Sequence, residues 1–233
     1  VGLDVTPVVL LPGMMCDARL FGPQTADLSR DRPVQLAPIG AADTVEALAE
    51  AVLADVPERF ALVGLSMGGI VAMEVVRRAP ERVERLGLLD TNHRSEAAHV
   101  SERRERQIEA VRAGRLREVL REEMKPHYLA PGPGRQPVLD LVMEMAMALG
   151  PDVFERQSRA LAARPDQTGT LRRVACPTLV LCGLHDALCP LERHEEMARL
   201  VPGARMEIVE GAGHLPTLER PAETGALLRR FLG

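Results

Sequence analysis

The sequence predicts an α/β protein, a mostly parallel sheet flanked by helices, with an inserted helical lid. Three observations in its 233 residues point there. Short apolar, β-prone runs alternate with helix-prone runs at both ends of the chain, which is the pattern of a parallel sheet. The alternation stops in the middle, where the residues become charged and helix-prone. A tight Gly64-Leu65-Ser66-Met67-Gly68-Gly69 stretch stands between one strand-like run and one helix-like run.

Residues 7–11 read as the first strand, followed by the loop Pro12-Gly13-Met14-Met15. A weakly patterned connection over 17–28 suits a helix, and 33–37 a short strand. Asp43 followed by Glu46 resembles a capping box, after which Val45, Leu48, Ala49, Val52 and Leu53 fall on one helical face. Residues 59–63 form the next strand, 70–78 a helix stopped by Ala79-Pro80, and 83–89 a strand ending in Asp90-Thr91-Asn92. From 93 to 164 helical stretches over 101–125, 138–149 and 152–163 are expected, with breaks at Gly114, Pro126, 131–134, Pro137 and Gly150-Pro151. This divides the chain into a core of residues 1–92 and 165–233 and a lid of 93–164. Regular alternation then resumes, with strands over 177–183 and 204–209 and helices over 191–200 and 222–231.

Composition narrows the function. A hydrophobic content of 46% in 233 residues suits one sizeable core. A formal net charge of -4 gives no electrostatic case for nucleic acid or an acidic membrane surface, so small uncharged or mildly polar partners are expected. Lys125 is the only lysine, which supports neither a phosphate-binding P-loop nor a Schiff-base site, and no nucleotide fingerprint is present. Cys16, Cys176, Cys182 and Cys189 lack close pairing spacing and are expected as reduced thiols. No apolar run approaches membrane-spanning length, and residues 1–5 show no basic region ahead of an apolar one, so a cytoplasmic protein is expected, monomeric or a small homo-oligomer. Aromatics make up 2%, leaving Leu, Val, Ala and ten Met to fill the core and line a pocket.

The chemistry-bearing pattern begins at Ser66. A G-x-S-x-G between strand and helix makes an elbow: the turn strains the serine, and Gly64 and Gly68 remove side chains that would clash. The helix N-terminus behind it favours developing negative charge. A hydroxyl needs a base, and the base an orienting acid. Asp186 follows the strand-like 177–183, and His214 stands in the glycine-rich Glu210-Gly211-Ala212-Gly213-His214-Leu215-Pro216 after the strand-like 204–209. Each follows a different strand, where the carboxyl ends of a parallel sheet gather. Asp90 also follows a strand and competes for the acid role or lines the pocket; His93, His99, His127, His185 and His194 compete less well as base. No H-E-x-x-H or comparable ligand set accompanies His185-Asp186 or His194-Glu195, so no metal is expected. Arginines of the middle segment, Arg103, Arg104, Arg106, Arg112, Arg115, Arg117 and Arg121, are interleaved with glutamates and read as a solvated ion-paired face rather than an anion selector. Met143, Met145 and Met147 fit an acyl pocket or plain core equally.

Gly-Leu-Ser-Met-Gly-Gly, Gly-Leu-His-Asp and Gly-Ala-Gly-His-Leu-Pro together resemble the α/β-hydrolase family over nearly the whole chain. The resemblance implies a cofactor-free serine hydrolase, most simply a carboxylesterase acting on small to medium esters or lactones. It also implies an oxyanion hole made by the backbone N–H groups of Met14 and Met67, although many relatives carry His-Gly where this chain has Pro12-Gly13. The elbow equally resembles carbon–carbon bond hydrolases, enol-lactonases, cofactor-free perhydrolases of the haloperoxidase type and a lyase of menaquinone synthesis. A non-catalytic small-molecule-binding protein on the same fold is the alternative of a different class.

Overall fold

The computed structural model describes residues 5–233, so part of the N-terminal stretch read for a leader, residues 1–4, lies outside it. The first strand, β1 (Val8–Leu11), leads through a 3₁₀ turn at Ala18–Phe21 into α1 (Gly22–Leu28) and β2 (Val34–Leu36). Next come α2 (Val45–Asp55), β3 (Phe60–Leu65), α3 (Met67–Arg78) and β4 (Val83–Leu89). The middle of the chain is helical: α4 (Ala98–Arg112), α5 (Leu116–Glu118) running into a π turn at Val119–Met124, then α6 (Arg135–Ala162) and α7 (Thr168–Leu171). β5 (Thr178–Gly183), α8 (Leu191–Leu200), β6 (Arg205–Val209), α9 (Pro216–Glu219) and α10 (Pro221–Leu232) complete it.

All six strands pair in parallel, in the order β2-β1-β3-β4-β5-β6. The inner strands β1, β3 and β5 are buried along their whole length because both faces of the sheet are covered there, whereas the edge strands β2 and β6 carry polar residues and are partly exposed. Alternate residues go to opposite sides: Val9, Leu11 and Leu62 join the core under α2 and α3, while Val8, Leu10, Ala61 and Val63 join the core with Leu28 of α1 and Leu228 of α10. The parallel arrangement brings the residues that follow β1, β3, β4, β5 and β6 to one end of the sheet, with the helical segment between β4 and β5 lining the same cavity.

Several local expectations are corrected. Thr44, not Asp43, is the N-cap of α2, its side chain accepting from the Ala47 amide at 3.2 Å. Pro137 does not break a helix, because it falls in the first turn of α6, where the N–H it lacks would have had no helical acceptor. The units expected over 138–149 and 152–163 are halves of α6, joined across a kink at Gly150 (φ 82°) immediately before Pro151. Gly114 does interrupt the preceding helix, at φ +83°. The four cysteines are free, three of them buried.

Candidate active site

The elbow is built by close packing of backbone. Ser66 stands between β3 and α3 at φ 55° and ψ −114°, a strained conformation for a residue with a Cβ. It persists because the surroundings fix it: the Ser66 amide donates to the Leu89 carbonyl at 2.9 Å, and the Thr91 hydroxyl donates to the Ser66 carbonyl at 2.7 Å. A Cβ on Gly64 would collide with the Gly68 carbonyl, and one on Gly68 with the Leu11 and Pro12 carbonyls. Helix α3 can therefore press against β1 and β3 only with glycine at both places.

His214, five residues past β6, is brought to the serine. Its Nε2 lies 2.9 Å from Ser66 Oγ and its Nδ1 2.8 Å from Asp186 Oδ2. With Nδ1–H donating to the Asp186 carboxylate, Nε2 is left as the acceptor facing the hydroxyl. The ring is fixed from behind by the Tyr128 ring, edge-on at 5.6 Å, and the His214 amide donates to the Tyr128 carbonyl at 2.7 Å. Asp186, 6% exposed, receives the Leu188 amide at 2.8 Å and the Cys189 amide at 3.0 Å on its other oxygen. Burial alone would raise this carboxyl, but the imidazole and the two amides outweigh it and hold it below the ordinary carboxylate value.

Asp90 does not take the acid's place. It follows β4 at φ 44°, and its Oδ1 accepts the Gly183 amide at 2.8 Å. One oxygen of Asp90, one of Asp186 and a His194 nitrogen lie within 4.8 Å of one another. Complete burial and the neighbouring Asp186 charge push the Asp90 carboxyl well above its usual value, so of the two acids Asp90 keeps the proton. His194 accepts the Thr91 amide on Nε2 at 3.0 Å, which makes Nδ1 the protonated nitrogen, 3.3 Å from the Pro190 carbonyl. Burial lowers its pKa to about 4. Within this buried carboxyl–imidazole cluster Asp90 Oδ2 has no hydrogen-bond partner, while both nitrogens of His194 are engaged by the chain.

Met14 and Met67 meet at the same place. Among the described residues neither backbone N–H has an acceptor. The Met14 loop is held by Met15 at φ 55°, whose amide donates to Gln157 Oε1 at 2.8 Å, while Gln157 Nε2 donates to the Ile39 carbonyl at 3.0 Å. Glu219 does similar work beside the histidine, accepting the amides of Ala130 at 2.8 Å, Gly213 at 2.9 Å and Leu215 at 3.0 Å. Sequence reasoning missed both Gln157 and Glu219, and the chain offers no motif that would mark them.

A cavity of about 560 Å³ opens at Ser66. Its methionines are Met14, Met67 and Met124; Met145 is core, and Met143 and Met147 line a separate cavity between helices. The arginine expectation is also corrected. Arg112 and Arg115 form exposed pairs with Glu155 and Glu118, whereas Arg103 and Arg104 line the Ser66 cavity.

Fold and site together define an α/β hydrolase: a parallel sheet with a strained serine elbow, and an imidazole and a carboxylate hydrogen-bonded in line behind it. Residues 8–227 match the model of the alpha/beta hydrolase family, and the chain belongs to that family. Among curated relatives it is 26% identical to the pimeloyl-[acyl-carrier protein] methyl ester esterase of Neisseria meningitidis, over 84% of this chain and 78% of the relative. Among solved structures it is similar to a malate-bound thermophilic esterase from Thermogutta terrifontis, with TM-score 0.89 and 31% identity over 97% of this chain and 89% of that one. The enol-lactonase of Burkholderia xenovorans superposes with TM-score 0.86 over 99% of this chain and 92% of its own, a likeness of fold at 24% identity.

Proposed function

We propose that this hydrolase is a carboxylesterase that cleaves small to medium carboxylic esters or lactones through an acyl-enzyme on Ser66. The observation that carries the reading is the hydrogen-bonded line Ser66 Oγ, His214 Nε2, His214 Nδ1 and Asp186 Oδ2, at 2.9 and 2.8 Å, ending on a strained elbow. Ser66 Oγ attacks the ester carbonyl while His214 takes its proton, and Asp186 stabilises the imidazolium so formed. The carbonyl oxygen becomes an oxyanion received by the Met14 and Met67 amides, each donor contributing about 3 kcal/mol in the transition state. His214 returns the proton to the departing alcohol, and water repeats the sequence to release the acid.

The esterase relatives support ester substrates. The cavity volume of about 560 Å³ suits a small-molecule substrate, and we assign residues 93–164 as the lid that shapes it and excludes water.

The test is hydrolysis of p-nitrophenyl esters of increasing acyl length by the wild type and by Ser66→Ala. Activity should peak at short or medium chains and fall at least about a thousandfold in the variant. Full activity in Ser66→Ala, or none on any ester from folded wild type, overturns the reading; the latter result favours carbon–carbon hydrolase, perhydrolase, lyase or binding roles.

A further inference from the structure

The wall of the Ser66 cavity carries an uncompensated positive charge. Arg104 and Arg164 share a single carboxylate, Glu96, with Arg104 Nε 2.6 Å from Oε2 and Arg164 Nη2 2.9 Å from Oε1. These side chains are 15%, 7% and 5% exposed, so solvent screens the arrangement little. Two guanidiniums on one carboxylate leave a net charge of +1 in a largely dry wall. Arg164 is otherwise satisfied, donating from Nε to the Arg94 carbonyl at 2.8 Å and from Nη1 to the Leu161 carbonyl at 3.4 Å. Arg104 is not: beyond Glu96, its Nη1 meets only the Met14 sulfur at 3.8 Å, a weak acceptor. That sulfur belongs to Met14, the residue proposed above as an oxyanion-hole donor.

The remaining charges around the cavity do not cancel this. Glu123, the other carboxylate on its wall, accepts the neutral Gln107 side-chain amide at 2.9 Å and offsets one formal positive charge. Arg94 and Arg193 both pair with Glu196, at 2.5 and 3.6 Å. Arg103 precedes Arg104 on α4, lines the same cavity, is exposed, and has no ion pair among the described residues. Five wall arginines set against Glu96, Glu123 and Glu196 leave a formal surplus of positive charge, and of these arginines Arg103 has no carboxylate and Arg104 only a share of Glu96. A guanidinium with free N–H groups in a partly desolvated wall is the feature that recognises a planar carboxylate.

We infer that the ester substrate carries a carboxylate away from the scissile bond, as in the half-esters of dicarboxylic acids, and that Arg104, assisted by Arg103, holds it. This rests on the esterase reading given above and names the substrate class of that site. Because Arg104 touches Met14, the carboxylate lies close to the oxyanion position, so the acyl chain between the two carbonyl carbons is short to medium.

The experiment compares monomethyl adipate with methyl hexanoate, which replaces the carboxylate by a methyl group at equal chain length, and follows acid release in a pH-stat. Wild type should favour the half-ester in kcat/KM by about tenfold to a hundredfold, the range of a charge-assisted hydrogen bond. Arg104→Gln should bring that ratio close to unity, with Glu96 still paired to Arg164. Arg103→Ala, at an exposed position where folding is not at issue, should lower it several-fold. Hydrolysis of methyl hexanoate at a rate equal to or above that of the half-ester sinks the carboxylate assignment and leaves the esterase reading standing. So does a half-ester preference that survives in the Arg103→Ala/Arg104→Gln double variant. Failure of the folded wild type on both esters, and on p-nitrophenyl esters, sinks both.

Discussion

Replacing Asp90 by Asn separates the two buried acids behind the histidine. Oxygens of Asp90 and Asp186 lie within 4.8 Å of each other in a fully buried cluster. Two negative charges at that separation would repel by about 3.5 kcal/mol at an effective dielectric constant of about 20, some 2.5 pK units, so the pair retains one proton at neutral pH. Asp186 accepts His214 and two amides, whereas Asp90 accepts only the Gly183 amide, and the proton therefore stays on Asp90. Asn copies a neutral Asp90 in size and keeps an acceptor for Gly183. Asp90→Asn should hold kcat/KM for a p-nitrophenyl ester within about threefold of wild type and leave the acidic limb of its pH profile in place. Asp186→Asn removes the charge that sets the tautomer and should cost about 10⁴-fold in kcat. An Asp90→Asn limb displaced by a full pH unit, or a loss as large as that of Asp186→Asn, would mean that Asp90 is ionised and would refute the assignment.

Three further outcomes follow from particular contacts. His194 is held neutral by burial, with a pKa of about 4, against about 6.5 in an unfolded chain. Below pH 6.5 the unfolded state gains a proton that the folded state refuses, so stability should fall by up to about 3 kcal/mol as pH drops from 6.5 to 4. Urea titrations of His194→Gln, which keeps an acceptor for Thr91, should show that loss removed; an unchanged slope would assign it to other groups. Gln157→Ala strips the acceptor from the Met15 amide and frees the Met14 loop, so kcat should fall about tenfold with KM nearly constant, whereas a change confined to KM would place the loop in ground-state binding. Gly68→Ala drives a methyl group into the Leu11 and Pro12 carbonyls and should lower the unfolding free energy by about 3 kcal/mol; a wild-type denaturation midpoint would contradict the packing described.

Much of this molecule was legible in one dimension. Apolar runs and the punctuation between them located the six strands, since strand and helix periods are local properties of a few consecutive residues. The errors were local too. Thr44 and Asp43 are both good caps, and only the folded chain's path into α2 selects between them. Pro137 and Gly150-Pro151 read alike as breaks, yet a proline in a helix's first turn costs no hydrogen bond and a glycine at positive φ can kink a helix without ending it.

The same division holds at the site. By itself the sequence placed Ser66, Asp186 and His214 each just beyond a different strand, and a parallel sheet must bring such positions to one edge, where the structure puts them within hydrogen-bonding distance. What only the tertiary structure decided is everything that depends on chain segments remote from one another. Gln157 reaches the Met14-Met15 loop across 142 residues, and Glu219 reaches Ala130 across 89. Asp90 differs from Asp186 not in kind but in how many donors the fold aims at it. Arg103 and Arg104 sit in a run of arginines and glutamates that looks solvated in sequence, and they face the cavity because α4 is laid over the carboxyl end of the sheet. Periodicity records which way a residue points on its own element; which charge, donor or cavity it then meets is set by the packing of the others.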